Sequence, residues 1–103
     1  MPEEVKDGLG KAIRAVQRGK TPGNAKRLHG YGSGVLEIIE DFDGDTYRAV
    51  YAVRFRGVVY VLVVFQKKSK RRMETPKHIL DLIHDRLRWA EQDYAGTLIG
   101  REG

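Results

Sequence analysis

The sequence contains no cysteine and only three prolines among its 103 residues. Without cysteine there can be no disulfide, no thiolate zinc site and no cysteine nucleophile, which is typical of a protein in a reducing compartment. No apolar run is long enough to span a bilayer, because the longest, 58–65, has the length of a buried strand. The acidic N-terminus precedes no apolar signal region. We therefore expect a cytoplasmic protein with no membrane partner.

Acidic residues are scarce in the part of the chain where basic residues gather. Nineteen Lys and Arg residues against 14 Asp and Glu residues give a net charge of +5. Five of the 19 lie between Lys67 and Arg72, a stretch that we call the basic segment. Lys and Arg are the counter-charges that RNA phosphates attract. The basic segment is therefore either an RNA-binding surface or a solvated loop, and composition alone does not separate the two.

The length of the chain fits one domain, which we place at residues 1–95, followed by a flexible C-terminal tail at 96–103. Apolar residues at helical spacing predict a first helix over 3–18. A second helix is predicted to begin with Thr75 as its N-cap and to end near Tyr94.

Between the helices, a loop rich in Gly over 21–34 precedes three predicted strands. The strands form an antiparallel meander over 35–42, 46–55 and 58–65. The second strand is predicted to point its side chains alternately to the two faces, with Tyr47, Ala49, Tyr51, Val53 and Phe55 on one face and Arg48, Val50, Ala52 and Arg54 on the other. The third is an unbroken apolar run, so we expect it to be central and buried on both faces. The predicted fold class is α+β, with both helices on one face of the sheet.

Charged residues within the predicted strands are the first candidates for function. Arg48 lies in mid-strand and needs a partner or a function; its spacing favours an ordinary ion pair with Glu37 or Glu40. These two glutamates lie on opposite strand faces, because the strand period is two, and so cannot form a carboxylate pair. The histidines lack metal-ligand spacing, so no metal is expected. His29 is either a titrating group in the loop or an ordinary surface histidine.

Four strings give the chain a recognisable pattern, namely 25–30, 35–38 followed by 41–51, 59–62, and 65–70 closed by Thr75-Pro76. On these strings, residues 2 to 94 resemble the RelE/ParE toxin superfamily, in particular its phage-related, HigB-like branch. The resemblance implies a RelE-like fold and the toxin of a type II toxin–antitoxin system. Such a toxin is an mRNA interferase, a ribosome-dependent endoribonuclease that needs no cofactor. The implied partners are the ribosome, mRNA and a HigA-like helix-turn-helix antitoxin.

The resemblance also implies roles for individual residues. Arg48 matches the strand arginine that contacts the scissile phosphate, and Glu37 matches an acidic position that serves as a base in some relatives. Lys67 and Lys68 match the catalytic basic positions after the last strand. Contacts to RNA are expected from the remaining candidates, which are Lys26, Arg27, His29, Lys70, Arg71 and Arg72.

One departure from the family pattern keeps alternatives open. Relatives usually begin with a β-strand before the first helix, and this chain has no counterpart to it. The open sheet edge would invite pairing with another chain, including a second copy. One alternative is a non-catalytic protein of the RelE/ParE fold, either a topoisomerase inhibitor or a truncated remnant that binds antitoxin. Another is a simple nucleic-acid-binding module, although Phe65 alone adjoins the basic segment and offers no stacking platform.

Overall fold

The chain folds into two helices and a four-stranded antiparallel sheet, in a computed structural model that describes residues 2–67 and 76–102. The strands lie side by side in chain order. The predicted α+β fold class is confirmed. The elements are α1 (Glu3–Gln17), β1 (Ala25–Arg27), β2 (Val35–Phe42), β3 (Asp45–Ala52), β4 (Tyr60–Lys67) and α2 (Lys77–Glu102).

Helix α1 forms as its sequence predicts. Its carboxylates Glu3 and Glu4 lie in the first turn, where the helix dipole favours negative charge. Gly8 faces the sheet, and a Cβ there would lie 2.8 Å from the Glu40 carboxylate, so glycine allows the close approach. The side chains that α1 buries recur every three or four residues, at Val5, Leu9, Ala12 and Val16.

The helices cover opposite faces of the sheet, and the prediction that they share one face is wrong. The α1 face of the sheet contributes Ile38, Tyr47, Ala49 and Tyr51 to one core cluster. The α2 face contributes residues such as Val35, Val50 and Ala52 to the other. Strand β3 is therefore buried on both sides at every position from 47 to 52. The second predicted strand ends early, at Ala52, so Phe55 joins the α2 cluster instead of continuing the alternation.

The strand that we predicted to be central is an edge strand. Strand β4 pairs with β3 on one side and is last in the order of the described strands. On its α1 face, Val61 and Val64 are 48% and 41% exposed, because α1 packs on β2 and β3. β-branched valines favour a strand wherever it lies in a sheet. Hydrophobicity alone therefore did not indicate how many neighbours this strand has.

Two further predictions are corrected at the level of whole elements. The segment 21–34 is not all loop, because Ala25–Arg27 pairs with β2 as β1; three residues are too few for a periodic signal. Helix α2 continues past its predicted end at Tyr94 to Glu102, so most of the range predicted as a flexible tail is helical. Gly96 and Gly100 both lie within the helix and do not end it. The predicted N-cap Thr75 lies outside the described residues.

Candidate functional site

Four charged residues, one from each strand, form a row across the α2 face of the sheet. Lys26 of β1 is paired directly with Glu37 of β2. Arg48 of β3 and Lys67 of β4 follow at successive diagonal positions. Directly paired residues share a sheet face, and residues two apart on a strand do so as well. We call these four residues the charged row.

The centre of the charged row is a buried ion pair. The Nη1 of Arg48 donates a hydrogen bond to Oε1 of Glu37 at 3.0 Å. Both side chains are buried, at 5% and 2% exposure, which strengthens their attraction and also makes their desolvation expensive. The predicted ion pair of Arg48 with Glu37 or Glu40 is therefore confirmed, with Glu37 as the partner. The Nε of Arg48 is also buried and donates to no acceptor among the described residues.

The two ends of the charged row differ in their access to solvent. Lys26 is exposed, whereas Lys67 is buried. The charged residues buried among those described are thus two cations, Arg48 and Lys67, and one anion, Glu37. Arg48 and Lys67 are cationic donors of the kind that bind a phosphate. Because the pair is buried, a ligand can reach it only if the atoms that cover it move.

The remaining predicted site residues lie in three different places. Arg27 is exposed but pairs with Leu36, which puts it on the α1 face and away from the charged row. His29 is exposed two residues after β1. The rest of the basic segment lies outside the described residues, and this includes Lys68, Lys70, Arg71 and Arg72.

Sequence reasoning missed Arg54, which holds the glycine-rich loop before β2 in place. Its Nε donates to the Ser33 carbonyl at 2.9 Å, and its Nη2 donates to the Tyr31 carbonyl. Its Nη1 contacts a carboxylate oxygen of Glu91 on α2 at 3.2 Å. The loop leads directly into β2, which carries Glu37, so Arg54 helps to position the charged row. Arg54 is 21 and 23 residues away in the chain from the two carbonyls that it contacts, so no local pattern indicated this role.

Tyrosine hydroxyls carry the resolved pKa changes. Tyr60, at the start of β4, donates to Asp93 at 2.7 Å, and this bond raises the pKa of Tyr60 to about 12. Burial raises the pKa of Tyr51 and also that of Tyr31, to which the nearby charge of Asp81 adds. These changes keep the hydroxyls protonated, so they remain hydrogen-bond donors.

No helix among the described residues is long and apolar enough to cross a membrane.

Comparison with known proteins identifies the family. Neither the curated proteins nor the solved structures contain a significant match to the chain. The family model described as phage-derived protein Gp49-like (DUF891) matches residues 1–88. This match covers most of the chain, and the chain therefore belongs to the Gp49-like family, a family of RelE-like toxins from toxin–antitoxin systems.

Proposed function

We propose that this protein is the toxin of a type II toxin–antitoxin pair and that it cuts mRNA on the ribosome, as in the HigB-like branch. The observation that carries the proposal is the charged row. It combines three cations with one carboxylate on a single sheet face, in a member of a RelE-like toxin family. Cations stabilise the charge that develops on a phosphate under attack, and a carboxylate can accept a proton.

The proposed reaction uses the nucleophile that RNA itself carries. Glu37 takes the proton from a 2′-hydroxyl, and the 2′-oxygen attacks the adjacent phosphorus while the bond to the 5′-oxygen breaks. Arg48 donates to the phosphate oxygens, and a lysine of the row or of the basic segment, Lys67 or Lys68, gives a proton to the leaving oxygen. The products are a 2′,3′-cyclic phosphate and a 5′-hydroxyl, which balance atoms and charge without a co-reactant.

The burial of Glu37 and Arg48 sets a condition on this reaction. RNA has to uncover the pair before a phosphate can replace the carboxylate as the partner of Arg48. The unused Nε of Arg48 supplies a second donor for that phosphate. A requirement for uncovering fits an enzyme that acts only when the ribosome presents its substrate.

The exposed cations complete the proposed RNA contacts. Lys26 lies at the accessible end of the charged row and is suited to hold the phosphate next to the cleaved one. Arg27 lies in the same edge strand and His29 two residues beyond it, and we propose that these two and Lys70, Arg71 and Arg72 also contact the message. A HigA-like antitoxin would neutralise the protein.

The test is induced expression of the chain, with and without the adjacent gene, while growth and mRNA 5′ ends are measured. We expect growth arrest, and new ends that carry 5′-hydroxyl groups and appear only in translated messages. Lys26→Ala should lower cleavage by about tenfold, the loss of roughly 1.4 kcal/mol of binding to a phosphate. The matched control is Lys6→Ala, another exposed lysine that lies on α1 and outside the charged row. Unchanged growth and unchanged 5′ ends would refute the proposal.

The burial of the ion pair also supports a second candidate, a non-catalytic protein of the same fold that binds antitoxin. In that case Glu37 and Arg48 serve stability alone. When the protein is added to purified ribosomes that are translating a message, the message then stays uncleaved. The protein still binds its antitoxin. A DNA supercoiling assay distinguishes the two forms of this candidate, because only a topoisomerase inhibitor would reduce supercoiling.

A further inference from the structure

The two edges of the sheet differ in how well they resist pairing with another strand. Strand β1 at one edge has three residues, and two of them, Lys26 and Arg27, are exposed cations. A short, charged edge strand is a poor template for another chain. Strand β4 at the other edge has eight residues and carries no charge before Lys67 at its end. It therefore lacks the protection that β1 has.

Apolar side chains gather around the unprotected edge. Val61 and Val64 are 48% and 41% exposed on the α1 face of β4. Trp89 of α2 is 59% exposed, and its ring centroid lies 6.3 Å from that of Tyr60 in β4. The described residues include one other large exposed hydrophobic side chain, Val53, which lies outside β4. Such a concentration of exposed apolar surface marks an interaction site.

One part of the edge is already occupied. The Nη1 of Arg86 on α2 donates to the Leu62 carbonyl at 3.0 Å. The pairing of β3 with β4 also shifts register at this point, as in a β-bulge. The stretch best suited to further pairing is therefore the second half of the strand, residues 63–67, with Val64 at its exposed face.

We propose that this half of β4 pairs in antiparallel fashion with the same strand of a second copy, which joins two four-stranded sheets into one. A twofold axis perpendicular to the sheet would place Val64 close to its own symmetry mate. The exposed valines of the two copies would then cover one another on the same sheet face. Lys67 of the charged row lies at the end of this stretch, but the proposal rests on the open edge and the exposed valines of β4 and does not depend on RNA cleavage.

Charge favours a second copy in the antiparallel orientation. The only charged residue of β4, Lys67, lies at its C-terminal end and is followed by the cations of the basic segment. Parallel pairing would bring Lys67 of the two copies side by side, whereas antiparallel pairing separates them along the strands. At the other end of β4, Tyr60 is bonded to the carboxylate of Asp93. Antiparallel pairing directs the cationic end of each copy toward the carboxylate end of the other.

The first test is the oligomeric state of the full chain, measured by sedimentation equilibrium over a range of concentrations. We expect a monomer–dimer equilibrium. Val64→Lys should weaken the dimer by about tenfold or more, because two desolvated like charges would meet at the interface. The matched control is Val53→Lys, since Val53 is 38% exposed and lies outside β4. It should leave the equilibrium unchanged. A monomeric parent chain would overturn the proposal, whatever the variants do.

The second test uses the absence of cysteine, because one introduced thiol is then the only thiol in each chain. In Val64→Cys a short bifunctional maleimide should join two copies, whereas the same treatment of Val53→Cys should not. A parent dimer that survives Val64→Lys and does not cross-link through Val64→Cys would use another surface and would also overturn the proposal. Circular dichroism of each variant confirms that it is folded.

Discussion

At the scale of single residues, the pair formed by Arg48 and Glu37 is central both to the stability of the sheet and to the proposed function. A charge inside a sheet is tolerated when it is paired and hydrogen-bonded. The 3.0 Å bond between the two side chains meets that requirement. The same two groups are those that a phosphate-cleaving site needs, one as a donor and one as a base. The same two side chains therefore serve both stability and the proposed function. A loss of activity on substitution of Arg48 or Glu37 has to be distinguished from unfolding.

We expect Arg48→Met to destabilise the fold by about 3–5 kcal/mol, because it leaves the Glu37 carboxylate buried without its cation. The double variant with Glu37→Leu should recover most of that loss, since the remaining charge is removed as well. Urea denaturation measures both free energies of unfolding. The exposed pair of Arg54 and Glu91 is the control, and Glu91→Ala should cost no more than about 1 kcal/mol. Equal destabilisation in the single and double variants would contradict this account.

At the scale of elements, the glycine-rich loop before β2 shows how an irregular segment is fixed. Its carbonyls at Tyr31 and Ser33 accept hydrogen bonds from Arg54, and the Tyr31 ring lies 4.4 Å from that of His84 on α2. The loop is thus held between the end of β3 and the long helix. Gly34 permits this arrangement, because a Cβ there would lie 3.0 Å from the Arg54 backbone nitrogen.

Alanine substitution at two glycines distinguishes the cost of a left-handed backbone conformation from the cost of a steric contact. Both Gly34 and Gly44 have positive φ, at +71° and +83°, but a Cβ at Gly44 would meet nothing within 4 Å. Gly44→Ala should therefore cost about 1–2 kcal/mol for its left-handed conformation alone. Gly34→Ala should cost clearly more, because the added methyl group also meets Arg54. Thermal unfolding of the two variants measures the difference, and equal costs would show that the contact with Arg54 does not constrain the loop.

At the scale of the whole molecule, the two helices leave the sheet with one charged row and two unlike edges. The β1 edge carries exposed cations beside the candidate site, and the β4 edge carries apolar side chains. We therefore expect a polyanion to contact the cations of the β1 edge and another chain to contact the apolar side chains of β4. A net charge of +5 supports the first of these interactions and makes it sensitive to salt.

The salt dependence of RNA binding tests the cationic edge. Each phosphate contact to a single strand contributes roughly 0.7 to the slope of log affinity against log salt concentration. Replacing both Lys26 and Arg27 with Ala should therefore lower the magnitude of that slope by about 1.4. Fluorescence anisotropy of a labelled single-stranded RNA measures the slope, with Lys6→Ala as the control. An unchanged slope in the double variant would mean that β1 does not contact RNA.

Several features of this protein followed from the sequence alone, because they depend on neighbours along the chain. The spacing of apolar residues predicted α1, and the pair Asp43-Gly44 predicted the hairpin between β2 and β3. Both turn residues have positive φ, at 51° and 83°, as such hairpins require. Pairing across that short hairpin also limited the expected partners of Arg48 to Glu37 and Glu40 on the adjacent strand, and the structure selects Glu37.

Only the tertiary structure decided the edge position of β4, the placement of the helices on opposite faces and the depth at which Arg48 and Glu37 are buried. A run of valines favours a strand equally at the centre and at the edge of a sheet. Its neighbours come from distant parts of the chain, so local propensity contains no information about them. The sequence determined where the three long strands lie and which charges they carry, but not the short strand β1. The way the strands and helices pack determined which of those charges are buried and which edge is left open.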